Sequence, residues 1–167
     1  METSELAAAL LDIERRAVEG APPVEEESKW TDLVKRLIRR LQQESGERRK
    51  CLRIPLDVAE ATLGLGQARA TVEATDLSNG GISLRGIEDA SVLQPGEEIE
   101  LQSIRFQGED FPQRLPCRVA WVEPHKDGRD GQAIGLAFVD VNKERRDLFF
   151  PCYYKSYSGF LTQLAGR

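Results

Sequence analysis

The sequence predicts a mainly β chain: a six-stranded antiparallel β-barrel with an N-terminal helical extension and one or two C-terminal helices. Three observations predict it. Apolar residues recur at helical spacing as far as Leu41 and then, from Leu52, at every second position. Turn strings (DLSNGG, LQPGEE, FQGEDFPQ and HKDGRDG) punctuate the period-two runs and leave no room for long helical crossovers. Helical spacing returns after Asn142.

From Ser4 to about Ala17, the residues Leu6, Leu10, Ile13 and Ala17 mark a first helix, and GAPPVEEE, with Gly20, Pro22 and Pro23, reads as a linker. Ser28 is the expected N-cap of a second helix. That helix carries Trp30, Leu33, Val34, Leu37, Ile38 and Leu41 on one stripe and Lys35, Arg36, Arg39 and Arg40 on the other face. Its apolar stripe needs a cover, supplied by the first helix, by the following domain or by a second copy of the chain.

The first expected strand alternates Leu52, Ile54, Leu56 and Val58 with Arg53, Pro55 and Asp57. The second alternates Ala68, Ala70, Val72 and Ala74 with Arg69, Thr71, Glu73 and Thr75. Gly81 to Arg85 and Glu97 to Phe106 are the third and fourth. Gln113 to Glu123 then places Leu115, Cys117, Val119 and Trp121 on one face, and Gln132 to Val139 carries Ile134, Leu136 and Phe138. Closing such a sheet into a barrel removes its exposed edges. At the C-terminal end, Asn142 is the expected cap of NKERRDLFF, and Pro151 reads as the first turn of a further helix. Tyr153, Tyr157, Leu161 and Leu164 form its packing stripe.

Composition narrows the function. At 167 residues, 40% hydrophobic and 31% charged, with no apolar run near spanning length, the chain reads as a globular protein without a transmembrane segment. The acidic start METSELAAALLDIERR lacks the basic flank and cleavage site of a signal peptide, so a cytoplasmic location is expected. Three cysteines, Cys51, Cys117 and Cys152, suggest neither a disulfide framework nor a zinc site. A net charge of −5 argues against bulk nucleic-acid binding and confines any polyanion site to a local patch. His125 is the sole histidine and falls in a turn string. No nucleophile has a partner base, no carboxylates cluster at metal-ligand spacing, and the glycines near Gly64 and Gly66 lack the phosphate-loop pattern, so neither catalysis nor a cofactor is expected.

The local patch is ERRKCLR, where Arg48, Arg49, Lys50 and Arg53 place four cations within six positions, immediately before the first strand. After the second strand comes Asp76-Leu77-Ser78-Asn79-Gly80-Gly81. An Arg-x-x-x-Arg pair (Arg49 and Arg53), then Asp-x-Ser-x-x-Gly (Asp76, Ser78, Gly81), then a barrel ending in GLAFVDV and a helix, resembles the PilZ domain family. The resemblance covers about Glu47 to Phe150 and implies a bacterial receptor for the second messenger cyclic di-GMP.

That ligand has two phosphates, two purine faces and two guanine edges, and a guanidinium can fork onto phosphate, fork onto O6 and N7, or stack on the ring. Lysine cannot do all three. Arg49 and Arg53 are therefore the expected direct ligands, with Lys50 as electrostatic support. Asp76 suits the guanine N1 and N2 donors, although taken alone an Asx turn also accounts for it. Ser78 suits a phosphate oxygen, and Gly80 and Gly81 allow tight backbone geometry and close approach of ligand. Within the family, arginine immediately before the Arg pair resembles members that bind two intercalated molecules, so Arg48 implies two cyclic di-GMP molecules per chain. Cys51 lies among these cations and is read as an inert linker residue, a redox role being the alternative.

Residues 1–45 are expected to form the helical extension and residues 46–167 the barrel domain with its helical tail. The extension lies outside the resemblance and is the candidate output device, through a protein partner or a homodimer made by the N-terminal helix. The runner-up reading is a PilZ-like adaptor for protein interaction that binds no nucleotide. The sequence does not distinguish motility, polysaccharide secretion and gene regulation as outputs.

Overall fold

A computed structural model describes residues 1–19, 24–45, 51–87, 93–124 and 132–167. Along the chain they form α1 (Thr3–Glu19), α2 (Val24–Ser45), β1 (Ile54–Leu65), β2 (Ala68–Leu77), β3 (Gly81–Ile87), β4 (Glu98–Phe106), β5 (Glu109–Pro124), β6 (Gln132–Phe138) and α3 (Lys143–Ala165). The strands close into a barrel in the order β1-β2-β3-β6-β5-β4, with every neighbouring pair antiparallel. This is the six-stranded antiparallel barrel that the period-two runs predict. The chain divides into two compact units, Met1–Leu52 with Tyr157–Arg167, and Arg53–Ser156; α3 contributes to both.

In the helical unit, α1 buries Leu6, Ala7, Leu10 and Ile13, α2 buries Leu33 and Leu37, and the end of α3 buries Tyr157, Leu161 and Leu164. Polar ties join α1 to α2. Thr3 Oγ1 donates to Glu44 Oε1 at 2.5 Å, and Arg40 Nη2 donates to Glu2 Oε2 at 2.6 Å. α2 begins at Val24, so Ser28 lies inside the helix and is not its N-cap.

In the barrel unit, period two sends one residue in two inward, and Leu63, Leu77, Leu84, Leu101, Ile104, Leu115 and Ile134 are almost wholly buried. Phe149 and Cys152 of α3 join this core, with Phe149 meeting Phe138 edge-on at 5.0 Å.

Four expectations are corrected by local geometry. The alternation in β1 breaks at a bulge between Pro55 and Ala59, so Val58, expected inside, is 93% exposed at φ 49°, and Ala59, Ala61 and Leu63 take the inward phase. A second register shift, between Val119 and Trp121, turns Trp121 away from the face of Leu115, Cys117 and Val119 and pairs it with Gly135. β5 begins at Glu109, four residues before the expected Gln113, because Gln107 and Gly108 (φ 52° and 75°) make the two-residue hairpin connection that needs positive φ at both positions. Pro151 lies inside α3 and opens no second helix. Its fixed φ is compatible with a helix, and the lost backbone bond is offset by burial of Phe149 and Cys152 on either side.

Asn142 does cap α3: its Oδ1 accepts from the Arg145 N–H at 2.9 Å. The linker residues Gly20 to Pro23 and the string around His125 lie outside the described residues. Among the described residues no helix is long and apolar enough to cross a membrane, and no three His, Cys, Asp or Glu side chains gather as a metal site.

Candidate functional site

The turn between β2 and β3 is built by its own sequence. Ser78 N–H donates to the Gly81 carbonyl at 2.9 Å, Ser78 Oγ donates to the same carbonyl at 3.3 Å, and Gly80 N–H donates back to Ser78 Oγ at 3.3 Å. Ser78 is buried, so its hydroxyl is occupied in the turn. The Gly80 carbonyl accepts from Phe138 N–H at 2.9 Å, which ties the corner to β6. At Gly81 a Cβ would collide with the Leu136 carbonyl oxygen, so the glycine there admits the close approach of β6 backbone. Gly80 has open space where its Cβ would be.

Counting outward from this turn, Leu77 pairs with Ile82 and both are buried, while the half-buried Asp76 pairs with Ser83, which is itself buried. The ladder is interrupted on both sides of Asp76: β1 bulges between Pro55 and Ala59, and the β2–β3 register shifts between Ala74 and Asp76. Thr75, at that shift, donates from Oγ1 to the Ser83 carbonyl at 3.2 Å.

Arg53, just before β1, reaches this pair. Its Nη1 donates to Asp76 Oδ1 at 3.3 Å and to Ser83 Oγ at 3.1 Å. The Arg53 and Asp76 side chains are 29% and 25% exposed, so they are neither dry nor freely solvated. With Nη1 committed, the Nε and Nη2 edge of the guanidinium has no partner among the described residues, and Asp76 keeps Oδ2 in the same condition. A bidentate donor fork and a carboxylate acceptor thus stand side by side on one surface, suited to an oxyanion or to a base edge that carries acceptors and donors together.

Of the residues singled out from sequence, Arg53, Asp76, Ser78, Gly80 and Gly81 are brought together here. Arg48 and Arg49, with Lys50, lie outside the described residues. Ser83 was not singled out, although pairing outward from the Ser78–Gly81 turn leads to it directly. Cys51 is exposed. Burial pushes the Cys117 and Cys152 thiols up to about 12, which leaves both as inert core residues at neutral pH.

The fold is similar to that of the motility inhibitor MotI/DgrA of Bacillus subtilis, at 17% identity and TM-score 0.50 over 65% of this chain and 51% of that one. It is similar to YcgR from Escherichia coli in complex with c-di-GMP, at 17% identity and TM-score 0.50 over 72% of this chain and 51% of the other. It is also similar to the K. pneumonia MrkH–c-di-GMP complex, at 14% identity and TM-score 0.50 over 65% and 52%. The chain therefore spans about half the length of these proteins, and at such identities the likeness is one of fold. No curated protein sequence matches the chain. The PilZ domain profile matches residues 47–154, which include Arg53, the Asp76–Gly81 turn and all six strands, and the chain belongs to the PilZ domain family.

Proposed function

We propose that this chain is a bacterial, cytoplasmic receptor for cyclic di-GMP that signals by binding and not by catalysis. The observation that carries the reading is the Arg53–Asp76–Ser83 cluster, in which one edge of a guanidinium is anchored and the other is left for a ligand. Membership of the PilZ family and the c-di-GMP held by YcgR and MrkH support it.

The free Nε and Nη2 edge of Arg53 takes guanine O6 and N7 or a phosphate oxygen, and Asp76 accepts from guanine N1 and N2. Arg49 is the second direct cation. Ser78, Gly80 and Gly81 hold the corner that fixes Asp76 and bring their backbone close to the ligand. Arg48 neutralises and stacks on a second molecule, giving two cyclic di-GMP molecules per chain. Binding changes the conformation of the arginine segment and of the barrel surface, and the extension of residues 1–45 conveys the change to a protein partner or a second copy.

The second reading, a PilZ-like adaptor without nucleotide, is favoured by one observation: Arg53 is already tied to Asp76 and Ser83 through Nη1. Calorimetric titration with cyclic di-GMP at low salt separates the two. Binding is expected, with Arg49→Ala and Arg53→Ala each weakening it by about ten- to a hundredfold, the scale of a hydrogen bond to a charged group. GMP and cyclic di-AMP should compete poorly. No heat at high micromolar ligand favours the adaptor and ends the receptor reading.

A further inference from the structure

The β1–β2 hairpin reaches past the strand that follows it. Leu65 and Ala68 flank a two-residue turn, Gly66 and Gln67, with Gly66 at φ 65°. Such a turn makes its flanking residues a hydrogen-bonded pair, and bonded and non-bonded pairs then alternate along the ladder. Ala68, Ala70 and Val72 therefore bond to β1, opposite Leu65, Leu63 and Ala61, whereas Arg69, Thr71 and Glu73 turn their backbone N–H and C=O groups to the other side. Glu73 meets β3 there, opposite Arg85. Beyond that pair β3 departs: Gly86 stands at φ 83°, and the β3–β6 register shifts between Leu84 and Ile87. Residues 68–72 have no strand on that side among the described residues.

Unpaired edges are commonly blunted by proline or lysine. The other unpaired stretch of the barrel, residues 109–116 of β5, carries Pro112 and Pro116. On β2 the stretch reads Ala-Arg-Ala-Thr-Val, with neither, and its one charge, Arg69, shares the exposed outer face with Thr71 and Glu73. Arg69 and Thr71 hold the unpaired backbone groups, and they lie symmetrically about Ala70. A twofold axis at Ala70 sets Arg69 of one copy opposite Thr71 of the other, so both residues find hydrogen-bonded partners at once. Ala70 then faces its own equivalent in the non-hydrogen-bonded position, where Cα atoms approach to about 4.5 Å and a small side chain fits. Charge agrees with this register. Arg69 lies diagonal to Glu73 of the second copy, within reach of a long side chain, and the two carboxylates draw the guanidinium groups apart across the axis.

We propose that residues 68–72 of β2 are a docking edge for a second copy of this chain, which adds its own β2 antiparallel about Ala70. The sheet then runs from one barrel into the next. The interface uses none of the nucleotide-site residues and none of the N-terminal helices, and it does not depend on the receptor reading.

The test is sedimentation equilibrium of the full chain, with amide exchange followed by NMR as concentration rises. The native chain should form a reversible dimer at high micromolar concentration. The Arg69 and Thr71 amides should gain protection as it forms, while Glu73, already opposite Arg85 of β3, should not change. Thr71→Pro removes an outward N–H from each copy without taking a bond from β1, and should leave the chain monomeric. Arg69→Glu should raise the dimer dissociation constant by about tenfold, and adding Glu73→Arg should restore it, since the exchange recreates the opposite-charge diagonal. Circular dichroism establishes that each variant is folded; if Thr71→Pro does not fold, the charge exchange decides. A native chain that stays monomeric at high micromolar concentration overturns the proposal. So does a dimer that leaves the Arg69 and Thr71 amides unprotected, or one that forms equally well in the folded Thr71→Pro and Arg69→Glu chains, because its contact then lies elsewhere.

Discussion

Replacing Asp76 with alanine separates its tie to Arg53 from the ligand-binding role proposed for it. In the free protein it accepts a single hydrogen bond from Arg53 at 3.3 Å, from a side chain that is itself 29% exposed. A partly solvated pair of this kind contributes about 0.2–1 kcal/mol to folding. Ser83 still holds Arg53 Nη1 at 3.1 Å in the variant, so the guanidinium is not left unpaired. The expected loss of stability is therefore below about 1 kcal/mol, read as a small shift of the urea midpoint with an unchanged slope. The expected loss of cyclic di-GMP affinity is larger, about 1.5–3 kcal/mol, because the bound base loses a charged acceptor at a desolvated edge. Arg53→Ala removes both anchoring bonds and should cost about 1–2 kcal/mol of stability. The double variant should show coupling, since each residue positions the other. A stability loss above about 3 kcal/mol for Asp76→Ala with unaltered affinity would refute the reasoning and make Asp76 a purely structural partner of Arg53.

Three other outcomes are expected. Val58→Gly should stabilise the fold by about 0.5–1 kcal/mol, because Val58 is held at φ 49° while 93% exposed, so relief of strain outweighs the entropy that glycine adds; a lower urea midpoint would contradict this. The buried thiols of Cys117 and Cys152, raised by desolvation from 9.0 to about 12, favour the protonated form in the fold. Their contribution is complete below pH 9 and is lost as pH rises towards 12, so stability should fall across that window and fall less steeply in Cys117→Ala, measured by urea unfolding at several pH values. Arg48→Leu should reduce the calorimetric ratio from two cyclic di-GMP molecules per chain to one with the first site retained; a ratio near one for the native chain would reduce Arg48 to a solvated charge.

Strands were legible where the ladder runs unbroken. Val72 and Ala74, Ile99 and Leu101, and Ile134 and Leu136 all face the core that their period assigns them. The reading failed at Val58 and Trp121, and for one reason: a bulge adds a residue, reverses the inward and outward phase of the rest of the strand, and leaves no compositional mark when the residues involved are ordinary strand formers. The Ser28 cap failed because the helix extends back to Val24, and a serine near an acidic run looks the same inside a helix as at its edge. Arg53 and Asp76 were singled out for their chemistry, and the structure brings the two side chains together. The part of Ser83, which holds Arg53 and pairs in register with Asp76, was not legible, because a serine in a strand carries no signal until the hairpin register is known.

Closure of the barrel in the order β1-β2-β3-β6-β5-β4 has a consequence for any output. Among the described residues every strand has a neighbour on each side, but residues 68–72 of β2 have no partner on the β3 side and residues 109–116 of β5 none on the β6 side, so a partner could add a strand of its own along those stretches. Recognition by β-augmentation is thereby limited to those stretches, the second of which is blunted by Pro112 and Pro116. Elsewhere a partner would read side chains, on the outward face of the barrel or on the helices. Specificity for such a partner would then rest on residues that can vary without disturbing the ladder.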